Sequence, residues 1–441
     1  MSNTDQDNLP VLITGPEFNN TIPKGTKSVI FTDIKAPDES VLTDVSEAQD
    51  GSIVAWVEGS TFKISTQKEE KKVKANPNSS SMFYGNQNPA CKKLTYIDVT
   101  NLDTSQVTDM SYMFQRAGQN AIAFAIEGLS DWNTSQVTSM RYMFYYSGYN
   151  ANAWSIGNLS DWDTSQVTDM SYMFAYSGYN SSIWIIDLSD WNTSQVTNMK
   201  YMFASAGRNA NAWNIGNLNG WDTSRVTNMS SMFQAAGRNA NTWRIGDLRN
   251  WDTSQVTDMS YMFNNAGYTS STFTIEGLSS WDTSQVKNMQ FMFGLAGYCA
   301  DTFTLDLSGW NTSQVTNMSH MFYYTGRNAG TWSIGDLSDW DTSNVTDMSH
   351  MFRSAGYNTS VFTLDLNGWN TSQVTDMSCM FEYAGYEADA FNLDLSNWSI
   401  GEKTDIKDIF YYAGHNATAW NIDCSSWALW NQISNQRLKI H

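Results

Sequence analysis

Eleven consecutive units of 29 or 30 residues fill the chain from Leu102 to Trp427. A short unit repeated at fixed period cannot bury an apolar face alone, so its copies must stack. Unit boundaries are marked by Trp132, Trp162, Trp191, Trp221, Trp251, Trp281, Trp310, Trp340, Trp369, Trp398 and Trp427, with Leu102 in that place once. One unit, from Trp162, reads WDTSQVTDMSYMFAYSGYNSSIWIIDLSD. The stack explains the composition. The two Met columns of the M-x-x-M-F segment hold 20 of the 22 Met, and two Trp columns hold 17 of the 19 Trp.

Each column has a physical reading. Phe runs unbroken from Phe114 to Phe410, and Gly follows it four residues later, from Gly118 to Gly414. The M-x-x-M-F spacing places both Met on one face of a short helix. Asp169 or Asn198 just before the first Met suits its N-cap, and the Gly suits its C′ residue. A strand follows, centred on an aromatic such as Trp154, Trp184 or Phe303, with Ile or Leu two residues on. Longer units insert one residue after the strand, as Ile156-Gly157-Asn158-Leu159 against Ile186-Asp187-Leu188. The expectation is an α/β repeat solenoid, with one short parallel strand and one short helix per coil.

The ends depart from the repeat. Residues 1–80 read as a small β capping region. Within it, Ile53 to Thr66 alternates like two strands turning at Glu58-Gly59, and SVIFTDI from Ser28 is another strand. Residues 81–101 form a partial first coil, 102–426 the solenoid, and 427–441 a C-terminal cap. Atypical terminal units are expected, because open coil ends must be covered.

The wording WDTSQVTDMSYMF, with the preceding TDVSEAQDGSIVAWVEGSTFKISTQ and KVKANPNSSSMFYG, resembles the Met-Phe repeats of BspA-like leucine-rich-repeat proteins of bacterial surfaces. The resemblance covers about Val41 to Trp427. It implies a leucine-rich-repeat-like solenoid, a role in adhesion or surface interaction, and an extracellular, cell-surface or virion location. The unit here is longer than the family's usual one. The N-terminus MSNTDQDNLP lacks a hydrophobic signal core. A virion component that binds a host surface therefore stands beside cell-surface attachment.

Charge narrows the partners. A net charge of −19 argues against nucleic acid and anionic membranes, which call for clustered Lys and Arg. Apolar runs fall short of the roughly 20 residues of a membrane-spanning helix. Only four His are present, and His320 and His350 share one column, where Tyr stands in other units. The scattered Cys91, Cys299, Cys379 and Cys424 support neither a disulfide framework nor a catalytic thiol. Asp and Asn interchange within their columns, which suits turn capping rather than calcium. No catalytic residue, metal or cofactor is expected, and the chain does not read as an enzyme.

Two outward columns remain. The residue after the column Gly is Tyr149, Tyr179, Arg208, Arg238, Tyr268, Tyr298, Arg327, Tyr357 and Tyr386 in nine of the units. Tyr and Arg are the residues of interaction hot spots, and Tyr faces also meet the apolar faces of sugars. The position equally suits the apolar contact of a C-cap, with Arg lying along the surface. The second column flanks the strand aromatic: Thr272 and Thr274, Thr302 and Thr304, then Thr331. The expected function is non-enzymatic binding of a protein or carbohydrate on a cell surface through these columns. A structural subunit that self-associates is the alternative, and a flat Thr face also admits an ice-binding solenoid.

Overall fold

The computed structural model describes residues 10–424 and Trp427. They form two compact units, the first ending at Gly216 and the second starting at Asn217. Each is a β-solenoid, and together they count about 14 turns. The C-terminal cap read over 427–441 lies, apart from Trp427, outside the described residues.

Unit 1 opens with helix α1 (Gly15–Thr21), started by Pro16 and a capping box between Thr14 and Glu17. Its strands are β1 (Ser28–Phe31), β2 (Thr43–Asp44), β3 (Val54–Glu58), β4 (Thr61–Ser65), β5 (Val73–Lys74), β6 (Tyr96–Asp98), β7 (Leu102–Asp103), β8 (Ala123–Glu127), β9 (Ala153–Ser155), β10 (Ile183–Ile185) and β11 (Ala212–Asn214). β3 and β4 are the antiparallel hairpin that turns at Glu58-Gly59. β4 pairs in parallel with β1, and β1 in parallel with β6 of the first coil. The N-terminal region thereby extends the solenoid sheet and covers its starting edge, as an open edge requires. The sheet runs β2-β3-β4-β1-β6-β8-β9, and β10-β11 form a separate pair. Unit 2 carries β12 (Thr272–Thr274), β13 (Thr302–Thr304) and β14 (Thr331–Ser333) in one sheet, and β15 (Val361–Asp365), β16 (Ala390–Asp394) and β17 (Ala419–Asp423) in another.

The stacked pairing is parallel and in register, so each column residue lies on its counterpart: Phe273 on Phe303 and Phe303 on Trp332. The Phe column stacks at 5.3 Å between Phe144 and Phe174, and the Trp column at 6.1 Å between Trp162 and Trp191. Both Met columns are fully buried beside them. Most boundary indoles also donate a hydrogen bond to a carbonyl near the previous boundary, as Trp162 Nε1 does to Leu129 O at 2.8 Å, while those of Trp132 and Trp427 are buried without one.

The expected helix in each coil is not there. Residues 111–120 and their counterparts are chains of turns, and among the described residues α1 is the one α-helix. Amides alternate in their partners. Met113, Gln115 and Ala117 donate within the coil to Met110, Tyr112 and Phe114, while Tyr112, Phe114 and Arg116 donate to Arg141, Met143 and Tyr145 of the next coil. The reason is spacing. A helix is about 10 Å across, whereas stacked strands lie roughly 4.8 Å apart. Aromatic spacing is nearly equal on both sides of the coil, 5.3 Å for Phe144–Phe174 and 5.6 Å for Trp154–Trp184. The coils therefore do not fan apart to make room for helices. Asp169 and Asn198 cap turns instead, accepting the N–H of Ser171 and Lys200 at 2.9 and 3.1 Å.

Single residues also break the sheet. Three positions before the strand aromatic, most coils have Ala, such as Ala121, Ala151 and Ala300. The exceptions are Ser181, Ser270 and Thr359, just before β10, β12 and β15, where a sheet begins anew. Each hydroxyl donates to a carbonyl two residues on: Ser181 to Ile183 O at 2.6 Å, Ser270 to Thr272 O at 2.7 Å and Thr359 to Val361 O at 3.0 Å. The Ser181 hydroxyl also accepts the Trp154 N–H at 3.3 Å. These local bonds compete with the ladder for the same backbone groups.

Candidate functional site

The turn segment lays its side chains on one face, and backbone sign explains how. Tyr112, Tyr142, Tyr172 and Tyr201 have φ of 57–60°, as do Tyr146 and Tyr176 two positions before the column Gly. Each is the third residue of a turn, where a type II turn requires positive φ. Bulky residues seldom adopt that conformation, but here it turns every ring outward onto its counterpart in the next coil. Tyr142 stacks on Tyr172 at 4.5 Å, Tyr146 on Tyr176 at 4.5 Å and Tyr149 on Tyr179 at 4.5 Å. Tyr145 meets Tyr142, Tyr146 and Tyr172 edge-on.

The outward Tyr/Arg column is placed as follows. In unit 1, Tyr149 and Tyr179 stack, and Arg208 lies over the Tyr179 ring at 5.5 Å while donating to its hydroxyl at 2.9 Å. In unit 2, Arg238 lies 3.8 Å over Tyr268, Tyr268 stacks on Tyr298 at 4.5 Å, Arg327 lies 4.0 Å over Tyr357, and Tyr357 stacks on Tyr386 at 4.6 Å. All nine residues are half-buried. Their ring faces are covered by one another, so edges, hydroxyls and guanidinium heads are what they present. The apolar ring face needed to stack on a sugar is occupied by the neighbouring coil.

The site is broader than one column. The Tyr of the YY, AY and EY pairs between Phe and Gly, such as Tyr145, Tyr146, Tyr323, Tyr324, Tyr383 and Tyr412, join the same face. Their signal was in the sequence, in MFYYSGY and MFYYTGR, but a helix would have scattered them around its axis. Burial and neighbouring hydroxyls push Tyr146 and Tyr172 up to about 12, so both stay neutral donors across the physiological range.

The Thr positions lie elsewhere, on the outer face of β12–β14. Thr272, Thr302 and Thr331 are in register, as are Thr274, Thr304 and Ser333, and all six are exposed. The row spans three strands, and the sheet that follows opens with Val361. In unit 1 the outer side of β8, β9 and β10 bears a shallow depression of about 450 Å³. Small residues Ala123, Ala125 and Ala153 line it beside Ile183 and Ile185, which are 57% and 55% exposed.

His320 and His350 take the Tyr112 column in unit 2. They stack at 4.5 Å, with His320 also on Phe291 at 4.2 Å, and neither Nδ1 has a hydrogen-bond partner. Burial, then the charge of His350, lowers His320 from 6.5 to about 4, and burial lowers His350 too. Native His320 is therefore held neutral while the unfolded imidazole protonates near 6.5. The unfolded state binds more protons between pH 6.5 and about 4, so this contribution to stability is complete above 6.5 and lost as pH falls toward 4. We expect wild type to lose more unfolding midpoint between pH 7.5 and 4.5 than His320→Phe, the residue its neighbour Phe291 already shows to fit. Equal losses in urea titrations would refute this account.

A family model described as "Mycoplasma protein of unknown function, DUF285" matches the chain four times, at residues 77–184, 146–244, 237–334 and 325–438. No curated protein and no solved structure matches the chain.

Proposed function

We propose that this chain, which belongs to the Mycoplasma family of unknown function DUF285, is a non-enzymatic binding protein that recognises a protein or glycan partner through its Tyr/Arg face. The observation that carries this reading is the pre-ordered ladder itself. Tyr149, Tyr179 and Arg208 in unit 1, and Arg238 through Tyr386 in unit 2, are locked by stacking with their polar heads outward. Ordered Tyr and Arg side chains lose little entropy on binding and supply amphipathic contact area. The resemblance to BspA-like surface proteins supports the same role in adhesion at a cell or virion surface. The test is cell and glycan-array binding by wild type against a variant with Tyr149, Tyr179, Tyr268 and Tyr298 changed to Ala. Wild-type binding lost in the variant is expected. Absence of wild-type binding, or its retention in the folded variant, counts against the reading.

A second reading, self-association as a structural subunit, is favoured by one feature. Ile183 and Ile185 form an exposed apolar ridge beside the Ala-lined depression on the outer face of β8–β10. If copies pair there, Ile183→Asp with Ile185→Asp converts an assembly to monomer in light scattering. A wild type that is already monomeric at high concentration removes this reading.

A further inference from the structure

We propose that the tyrosine face of unit 1 binds an anionic polysaccharide, one bearing carboxylate or sulfate groups; this rests on the reading of that face as the recognition surface. The argument is one of charge placement. Residues 102–216 contain nine carboxylates and four cations. All four cations, Arg116, Arg141, Lys200 and Arg208, lie on the tyrosine face. Arg116 sits 4.7 Å over Tyr146, Arg141 5.1 Å over Tyr112, Lys200 5.5 Å over Tyr201 and Arg208 5.5 Å over Tyr179. In a chain of net charge −19, such segregation leaves one locally cationic strip.

None of the four has a carboxylate partner among the described residues. Elsewhere cations do pair with carboxylates, as at Lys63–Glu58, Arg249–Asp247 and Arg353–Glu382. Arg116 Nη1 donates to Gln119 at 3.3 Å, its Nε is buried without a partner, and Arg141 donates to the Tyr112 hydroxyl. Two carboxylates border the strip, Asp109 and Asp169, and each already accepts a backbone N–H, from Ser111 and Ser171. Neutral partners, the Tyr112 and Tyr179 hydroxyls for Arg141 and Arg208 and the Gln119 amide for Arg116, hold the guanidinium groups in place without neutralising them, which leaves their charge for an incoming anion. Guanidinium forks match carboxylate and sulfate-like oxyanions in pairs of hydrogen bonds.

The face favours a polysaccharide over an acidic peptide. A peptide anchors through side chains seated in apolar pockets, and here the rings close ranks at 4.5 Å and leave none. Beside them runs a column of amides, Asn120, Asn150 and Asn180, suited to sugar hydroxyls. The cations fall on the units that start at Leu102, Trp132 and Trp191, a span of roughly 15 Å at about 4.8 Å per coil. That length engages several rings of a linear polymer lying along the ladder.

The experiment uses the full chain on a biosensor with hyaluronate (carboxylate), heparin (sulfate), dextran (neutral) and poly-glutamate. Hyaluronate or heparin is expected to bind, more weakly as salt rises, with no binding of dextran. Arg141→Gln with Arg208→Gln should weaken it about tenfold or more, as loss of charge-assisted hydrogen bonds does. Arg249→Gln in unit 2, an exposed arginine paired with Asp247 and outside the Tyr/Arg column, should leave it unchanged. Arg141→Lys with Arg208→Lys keeps the charge but loses the fork, so its binding should fall between wild type and the Gln variant, and thermal melts confirm folding. Binding of poly-glutamate but neither glycan overturns the proposal in favour of an acidic protein partner. Equal loss in Arg249→Gln, or no binding of any polyanion, also overturns it. Cell binding that survives the Arg141/Arg208 variant but is lost in the Tyr variants leaves the recognition face standing and removes only the anionic ligand.

Discussion

Changing Trp281 to Ala is expected to destabilise unit 2 by about 3–5 kcal/mol, the cost of emptying a large buried aromatic site. Trp281 is 1% exposed and stacks on Trp251 and Trp310 at 5.9 and 6.2 Å. Its Nε1 also donates to the Leu248 carbonyl at 3.2 Å, so truncation leaves both a cavity and an orphaned acceptor. Trp281→Phe separates the two. It keeps most of the apolar volume and loses the hydrogen bond, which sets an expected loss of about 1–3 kcal/mol. Repeat stacks unfold locally rather than in one step, so the readout is amide exchange. Protection should fall in the coils flanking Trp281 and persist around Trp369 and Trp398. Uniform loss throughout unit 2, or a loss below about 1.5 kcal/mol for the Ala variant, contradicts the column account.

Gly297→Ala is the second large effect, expected at about 3 kcal/mol from a left-handed backbone and an overpacked contact together. A Cβ at Gly297 would lie 2.6 Å from Phe273 Cβ and 2.8 Å from its Cγ, at a φ of +53°. For a unit of this size, that corresponds to a melting temperature lower by roughly 5–10 °C. Conformation alone does not demand glycine. Leu295 and Asn265 hold φ of 62° and 60° in the same turns and keep their side chains, because these point outward. The control follows: Asn265→Gly should change stability by under about 1 kcal/mol. A Gly297→Ala variant as stable as this control would show that the strand aromatic yields to the added methyl.

Much of the fold was legible in the residues. The Trp, Phe and Met columns, the glycine without exception, and the hairpin at Glu58-Gly59 are where the sequence places them. The candidate Tyr/Arg column was legible as a list of residues, but its geometry was not. Stacking covers the ring faces of Tyr149 and Tyr179 and brings in Tyr145, Tyr146 and Tyr172, which a helical reading had turned away from them. Ser181, Ser270 and Thr359 were visible as departures from the Ala column, yet one hydroxyl among many carries no mark that it will compete with a β-ladder.

By itself, the sequence determined that the chain is a stack, which residues line its interior, and where the period begins and ends. Those are properties of repetition and apolarity, written in every unit. Only tertiary structure decided whether M-x-x-M-F becomes a helix or a chain of turns. The same three- and four-residue spacing satisfies both, and the choice rests on amides such as those of Tyr112, Phe114 and Arg116 finding carbonyls in the next coil. A partner one coil away exists only after stacking, and stacking at strand spacing leaves no room for a helix.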